Sequence, residues 1–328
     1  MSNRCYRYKG DIVKYLILLT IVLTSLFSAN LKQPVAHFKA SGAVIDLFYK
    51  DGIIYSATDA STVDIFNFKS RKLIKKIRLP KIKDFVGDEV DSKVFSVDVL
   101  DNKILILSQS QKGFSRVHIH TKNKTELIID YKQGLAIAKA KFIDNNTILL
   151  ALISNELISF DIKKAKFNWK IQVSGGRFSD FVLNKKRTQV VIADESGSIQ
   201  IHTTKDGQIV QTLEGQNLDN VFQVAYKNGV IATAGQDRRV AIYKPKNKTA
   251  YYVKSDFLVY SVGLSPSGII AAYSSDENNN ITLFNTSTKS VLEKFGGNKM
   301  TLSNIIFINE SDFLVSSNNQ IINLYSVK

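Results

Sequence analysis

Length, composition and charge limit the classes to which this chain can belong. The 328 residues suffice for one large domain or two ordinary ones, and the single cysteine, Cys5, excludes a disulfide framework. The formal net charge of +15 can indicate an anionic partner or a membrane surface. The lysines are scattered through predicted turns, however, where charge usually marks solvated loops, so we expect no nucleic-acid binding.

The first predicted element is an export signal at residues 1–29. Four basic residues precede an apolar run over residues 15–27 and the small pair Ser28-Ala29, which is the order found in secretory signal peptides. A membrane-spanning helix needs about 20 apolar residues, and this run is shorter. We therefore expect cleavage and a periplasmic protein without a membrane span. An uncleaved anchor is the alternative, because Phe27 stands where the cleavage site prefers a small residue.

Cleavage would change both the charge and the available chemistry. It would leave 40 basic and 28 acidic residues, a net charge of +12, and no cysteine. A chain without cysteine has no thiol catalysis, no cysteine metal ligand and no covalently attached c-type haem.

After the signal, a short strand pattern of alternating apolar residues, closed by an aromatic residue or histidine, recurs seven times. The closing residues are Phe66, His120, Phe160, His202, Tyr243, Phe284 and Tyr325. The first interval between them is 54 residues and the other five are 40 to 42, which matches the four-stranded blade of a propeller. Apolar strands and turn residues flank each copy. The sequence therefore predicts an all-β fold over residues 30–328, a seven-bladed WD40-like β-propeller.

The two ends of this region predict how the ring closes. The sequence stops at Lys328 directly after the seventh copy, so the last blade lacks its outer strand. The segment Pro34–Ala40 supplies one strand more than the first blade needs. We predict that this N-terminal strand completes the last blade, since closure protects the edges of a propeller.

The long first interval contains the first candidate binding site. This interval is about 13 residues longer than the others, and it includes residues 80–91, where an apolar pair stands beside four carboxylates in an otherwise basic protein. We predict that this loop recognises a basic partner surface. A tolerated insertion without a binding role is the alternative. Calcium binding by the acidic residues is a further alternative, but their spacing does not follow a regular calcium-binding pattern. The candidate residues are Asp84, Phe85, Asp88, Glu89 and Asp91.

A second candidate site lies where the innermost strands of several blades are predicted to begin. Aromatic residues recur at these positions, and an arginine stands beside one of them, a combination that suits protein contacts. Packing of the rings between blades is the alternative. The residues are Phe95, Arg177, Phe178, Phe222 and Tyr260.

Patterns for catalysis and metal binding are weak. His118 and His120 share one face of a predicted strand and could ligate a metal, but no third ligand lies nearby in the sequence. We therefore predict a monomer that binds other proteins and has no catalytic activity, cofactor or metal. The alternatives are an enzyme or small-ligand binder acting at the central channel, and an envelope scaffold for another complex.

The segment Ala232–Tyr243 resembles the turn and third strand of WD40 repeats. Phe, His or Tyr replaces the usual Trp, and only Phe160-Asp161 keeps the acidic residue that follows it. The whole chain, with its signal and the stretches 216–222 and 274–280, resembles the NapL-type accessory proteins of epsilonproteobacterial periplasmic nitrate reductase systems. That resemblance implies a supporting role in assembly of, or electron delivery to, a molybdenum-containing nitrate reductase, whose subunits would be partners.

Overall fold

Seven antiparallel sheets of four strands each surround a central channel in the computed structural model, which describes residues 31–328. This arrangement confirms the predicted seven-bladed β-propeller. The predicted signal peptide at residues 1–29 lies outside the described residues. Among the described residues, no helix is long and apolar enough to cross a membrane.

The strands of the first half follow one another in chain order after β1 (Ala36–Lys39). Blade 1 consists of β2 (Val44–Lys50), β3 (Ile53–Thr58), β4 (Thr62–Asn67) and β5 (Leu73–Arg78). A two-stranded hairpin of β6 (Ile82–Lys83) and β7 (Glu89–Val90) separates it from the next blade. Blade 2 consists of β8 (Val94–Leu100), β9 (Lys103–Gln109), β10 (Ser115–Thr121) and β11 (Lys124–Ile129). Blade 3 consists of β12 (Ile137–Phe142), β13 (Thr147–Leu152), β14 (Glu156–Asp161) and β15 (Lys166–Gln172).

The second half repeats the same order. Blade 4 consists of β16 (Phe178–Leu183), β17 (Gln189–Asp194), β18 (Ile199–Thr203) and β19 (Ile209–Leu213). Blade 5 consists of β20 (Val221–Lys227), β21 (Val230–Gly235), β22 (Arg239–Lys244) and β23 (Thr249–Lys254), and blade 6 of β24 (Val262–Leu264), β25 (Ile270–Ser274), β26 (Ile281–Asn285) and β27 (Val291–Phe295). Blade 7 contains β28 (Leu302–Phe307), β29 (Asp312–Ser317) and β30 (Ile321–Ser326). Short 3₁₀ helices span Gln111–Gly113, Tyr131–Gln133 and Pro245–Asn247.

The core lies between the blades, because each sheet packs its faces against its two neighbours. One cluster joins Val230 and Ile242 of blade 5 to Val262 and Phe284 of blade 6. Strand β21 is accordingly buried along its whole length, whereas the outer strand β19 is exposed except at its last residue. Apolar residues at successive positions of the middle strands follow from burial on both faces.

The N-terminal strand closes the ring as predicted. Strand β1 pairs antiparallel with β30 as the fourth strand of blade 7, with Ala36 opposite Leu324. The buried ring of Phe38 also packs edge-on against Phe66, at 5.7 Å between ring centroids, and stacks on Phe68 at 6.3 Å. Both partners belong to blade 1, Phe66 in β4 and Phe68 in the turn between β4 and β5. The closing strand therefore joins the last blade to the first by hydrogen bonds on one side and by ring packing on the other.

Candidate interaction face and central channel

The insertion between blades 1 and 2 forms an ordered hairpin. Strands β6 and β7 pair Ile82 with Val90, and the side chain of Ile82 is buried at the base. At the tip, one oxygen of the Asp84 carboxylate accepts the backbone N–H groups of three residues, each at 2.9 Å: Val86, Gly87 and Asp88. An aspartate that bonds its own following backbone stabilises a turn. The hairpin therefore presents a defined tip.

The tip exposes an apolar pair. The side chain of Phe85 is 91% exposed and that of Val86 is 83% exposed. The carboxylates of Asp88 and Glu89 are also exposed, and neither makes a hydrogen bond or ion pair within residues 31–328. Asp91 differs, because its carboxylate accepts a hydrogen bond from Ser61 Oγ at 3.2 Å and so ties the hairpin base to blade 1. Of the predicted site residues in this loop, Asp84 and Asp91 hold the hairpin, and the other three face solvent.

The aromatic residues at the starts of the inner strands divide into two groups. Phe178 is buried and packs edge-on against Phe181 at 6.1 Å, so it has a packing role. Phe222 and Tyr260 are half-buried, and their rings stack at 5.4 Å with 12° between the planes. Phe257 leans against Tyr260 at 6.4 Å. A small aromatic surface therefore lies between the inner strands of blades 5 and 6.

The two remaining predicted residues of this site, Phe95 and Arg177, differ in their surroundings. Phe95 is half-buried and packs against the cluster between blades 2 and 3. Arg177 is exposed, and its guanidinium has no hydrogen bond or ion pair to the described residues. Leu218, in the connection before β20, is 67% exposed and was not singled out by the sequence analysis.

All these exposed groups lie on one face of the ring, which we call the upper face and define as the face at which the inner strands begin. The four strands of a blade alternate in direction, so every connection from an outer strand to the next inner strand lies at this face. Those connections contain the hairpin tip at Phe85 and the residues Arg177, Leu218 and Phe257. The inner strands end at the opposite, lower face.

Around the channel, the third residue is polar in six of the seven inner strands, and in those strands it bonds the next blade. Asp46 accepts the backbone N–H of Val97 at 3.0 Å, and Asp180 that of Val224 at 3.0 Å. A register shift at this position, between the first and third residues, recurs in six inner strands. The third residues of those strands are Asp46, Ser96, Lys139, Asp180, Gln223 and Asn304. Sequence reasoning missed this ring of contacts, although the recurring polar residue is visible beside the aromatic ones.

Three ion pairs join residues of different blades along the channel wall. They pair Lys141 with Asp46 at 3.2 Å, Arg187 with Asp98 at 2.6 Å and Lys139 with Asp180 at 2.5 Å. Burial opposes the charge of Lys139, but Asp180 and then Asp46 hold its pKa above the ordinary value. The channel encloses a cavity of about 390 Å³, and no histidine is among its lining residues. Each channel carboxylate therefore has a cation opposite it.

The two neighbouring histidines of β10, His118 and His120, have different surroundings and share no hydrogen-bond partner among the described residues. His120 Nδ1 lies 2.7 Å from Thr125 Oγ1, and its Nε2 lies 2.9 Å from Lys75 Nζ. His118 is buried and its Nδ1 has no hydrogen-bond partner. Within residues 31–328, no group of three or more histidine, cysteine or acidic side chains is arranged to hold a metal ion.

His118 should make the fold sensitive to acid. Burial, and after it the positive charge of Arg116, lower the pKa of the His118 imidazole to about 4. The unfolded chain takes up this proton near pH 6.5, whereas the folded chain does so only near the lower pKa. Stability should therefore fall as the pH falls from about 6.5 to about 4, by roughly 3 kcal/mol from this group.

The measurement is urea unfolding at pH 7 and pH 4.5 for the wild type and His118→Gln. The variant should lose about 2–3 kcal/mol less stability between the two pH values. An equal loss in both proteins would contradict the assignment of this proton uptake to His118.

Comparisons with known proteins do not assign this chain to a family. No protein-family model matches this chain, and no curated protein matches it either. The structure shows a seven-bladed β-propeller.

Proposed function

We propose that this protein is a non-catalytic periplasmic interaction module that binds another protein through its upper face. The exposed pair Phe85 and Val86 at the tip of an ordered hairpin is the observation that carries the proposal. Removing apolar surface from water contributes about 25 cal/mol per Å², and buried aromatic anchors dominate many interfaces. A hairpin held by the Asp84 turn keeps the anchor pre-organised, which lowers the entropy lost on binding.

The surroundings of the anchor indicate the chemistry of the partner. Asp88 and Glu89 stand beside the apolar pair and form no ion pair within residues 31–328, although Lys83 lies opposite Glu89 in the hairpin. These exposed carboxylates favour a basic or mixed partner surface. Across the same face, the stacked rings of Phe222 and Tyr260 and the exposed Arg177 supply residue types that are enriched at interfaces.

The resemblance to NapL-type accessory proteins supports a particular partner, the periplasmic nitrate reductase. In this proposal the propeller supports assembly of the enzyme or the delivery of electrons to it, and holds no cofactor of its own. The paired channel carboxylates favour a non-catalytic protein, since acid–base chemistry needs a carboxyl group free to exchange its proton.

Direct binding tests the partner. The purified chain should bind at least one purified subunit of periplasmic nitrate reductase with a dissociation constant in the micromolar range or below, measured by calorimetry. Purified outer-membrane assembly components serve as the comparison. Binding to those components and to no nitrate reductase subunit would overturn the choice of partner and favour a scaffold for another envelope complex.

A further inference from the structure

Two lysines are left over when the charges of the channel are paired. The residues that line the cavity include three carboxylates and five cationic side chains, and the three ion pairs use three of those cations. The other two are Lys185 and Lys227. Neither ammonium group makes a hydrogen bond or ion pair within residues 31–328. The cavity therefore carries an excess of two positive charges.

These lysines lie together at the lower end of the channel. Lys227 is the last residue of β20, and Lys185 follows the end of β16 by two residues. Those inner strands belong to adjacent blades and run in the same direction. Both lysine side chains are exposed at the mouth of the channel. The surrounding protein and, after it, the charge of Lys185 lower the pKa of Lys227. These two like charges thus act on each other, and no carboxylate within residues 31–328 forms an ion pair with either of them.

Charge is unevenly distributed around this end of the channel. The turns that follow the inner strands of blades 4 and 5, residues 184–188 and 228–229, contain no acidic residue. Acidic residues occur in the corresponding turns of blades 1, 2, 3 and 7. Three of these are already hydrogen-bonded: Asp101 to Asn145, Asp144 to the backbone of Asn146, and Glu310 to Ser267.

We propose that the lower end of the channel, at Lys185 and Lys227, binds a small oxyanion that carries two negative charges. Two ammonium groups can each donate charge-assisted hydrogen bonds to such a ligand. The hydroxyl-bearing side chains of Tyr49 and Tyr226 line the same cavity and can add neutral donors. A volume of about 390 Å³ accommodates a small-molecule ligand. The site is separate from the upper face and does not depend on the proposed partner.

The ligand chemistry has two sources, inorganic oxyanions and organic dicarboxylates. Calorimetric titrations of the purified full chain with sulfate, succinate and acetate at constant ionic strength distinguish them. We expect sulfate, succinate or both to bind saturably with one site per chain, at least tenfold more tightly than acetate. Saturable binding of sulfate alone assigns an inorganic ligand, and of succinate alone an organic one. Absence of saturable binding by both dianions, or equal affinity for acetate, would overturn the proposal.

Substitutions assign the binding to the two lysines. Lys185→Gln and Lys227→Gln should each weaken dianion binding by tenfold or more. Lys186→Gln is the matched control, because Lys186 is exposed like its neighbour Lys185 but does not line the cavity. It should change the affinity by less than twofold. Equal weakening by all three substitutions would show an effect of net charge alone and would overturn the site.

Discussion

Replacing Phe38 with alanine should lower the free energy of unfolding by about 3–5 kcal/mol, the range for deleting a fully buried phenylalanine ring. Phe38 is 1% exposed and lies on the closing strand β1. Its ring packs on Phe66 and Phe68, so its loss leaves a cavity at the seam between blades 7 and 1. Urea unfolding can be followed by the fluorescence of the only tryptophan, Trp169, which lies in blade 3.

The control for this substitution lies in the same strand. Lys39 is exposed and neighbours Phe38, so Lys39→Ala should change stability by less than about 0.5 kcal/mol. Trp169 lies in blade 3, far along the chain from the seam. If Phe38→Ala shifts the unfolding transition that Trp169 fluorescence reports, the whole ring unfolds as one unit. A Phe38→Ala protein within 1 kcal/mol of the wild type would mean that β1 contributes little to closure.

Replacing both Phe85 and Val86 with serine should weaken partner binding by roughly 30-fold or more, because loss of a central anchor costs about 2 kcal/mol or more. The unfolding free energy should stay within about 0.5 kcal/mol of the wild type, since both side chains are exposed. The dissociation constant of the partner complex and urea unfolding measure the two effects.

Another exposed apolar pair, on the neighbouring blade 1, provides the control. Leu73 and Ile74 are 45% and 55% exposed and begin the outer strand β5 at the lower face. Their double serine variant should bind the partner with the wild-type affinity. If both double variants lose affinity alike, exposed apolar area in general drives association, and the hairpin is not the anchor.

The repeat made the fold predictable, because each blade is one self-similar unit and the period survives changes in individual residues. The channel contacts were not predictable in the same way. Asp46 and Lys141 are 95 residues apart, and Asp98 and Arg187 are 89 apart. A periodic pattern places polar residues on a strand face, but it does not determine which side chain of another blade each will meet.

The aromatic residues near the starts of the inner strands differ in burial because they differ by one position in the strand. Phe178 is the first residue of its inner strand, a position that Val94 and Val221 fill with buried apolar side chains. Phe95 and Phe222 occupy the second position and are half-buried. Side chains alternate between faces along a strand, so one residue separates packing from exposure. These residues align by their aromatic character in the sequence, but their register is visible only in the strand pairing.

The hairpin combines a successful prediction with a partial one. The interval of 54 residues located the insertion, and composition identified its apolar pair and carboxylates. Composition could not show that Asp84 would be used by its own turn, or Asp91 by Ser61, because those roles depend on local backbone geometry.

Hydrogen–deuterium exchange of the protein with and without its bound partner tests the central claim, that the upper face is the binding surface. We predict added protection at residues 81–91, 216–222 and 255–261, and none in the lower-face turns at residues 184–188 and 228–229. Protection confined to the lower face or to the outer strands, with the hairpin unchanged, would contradict the account.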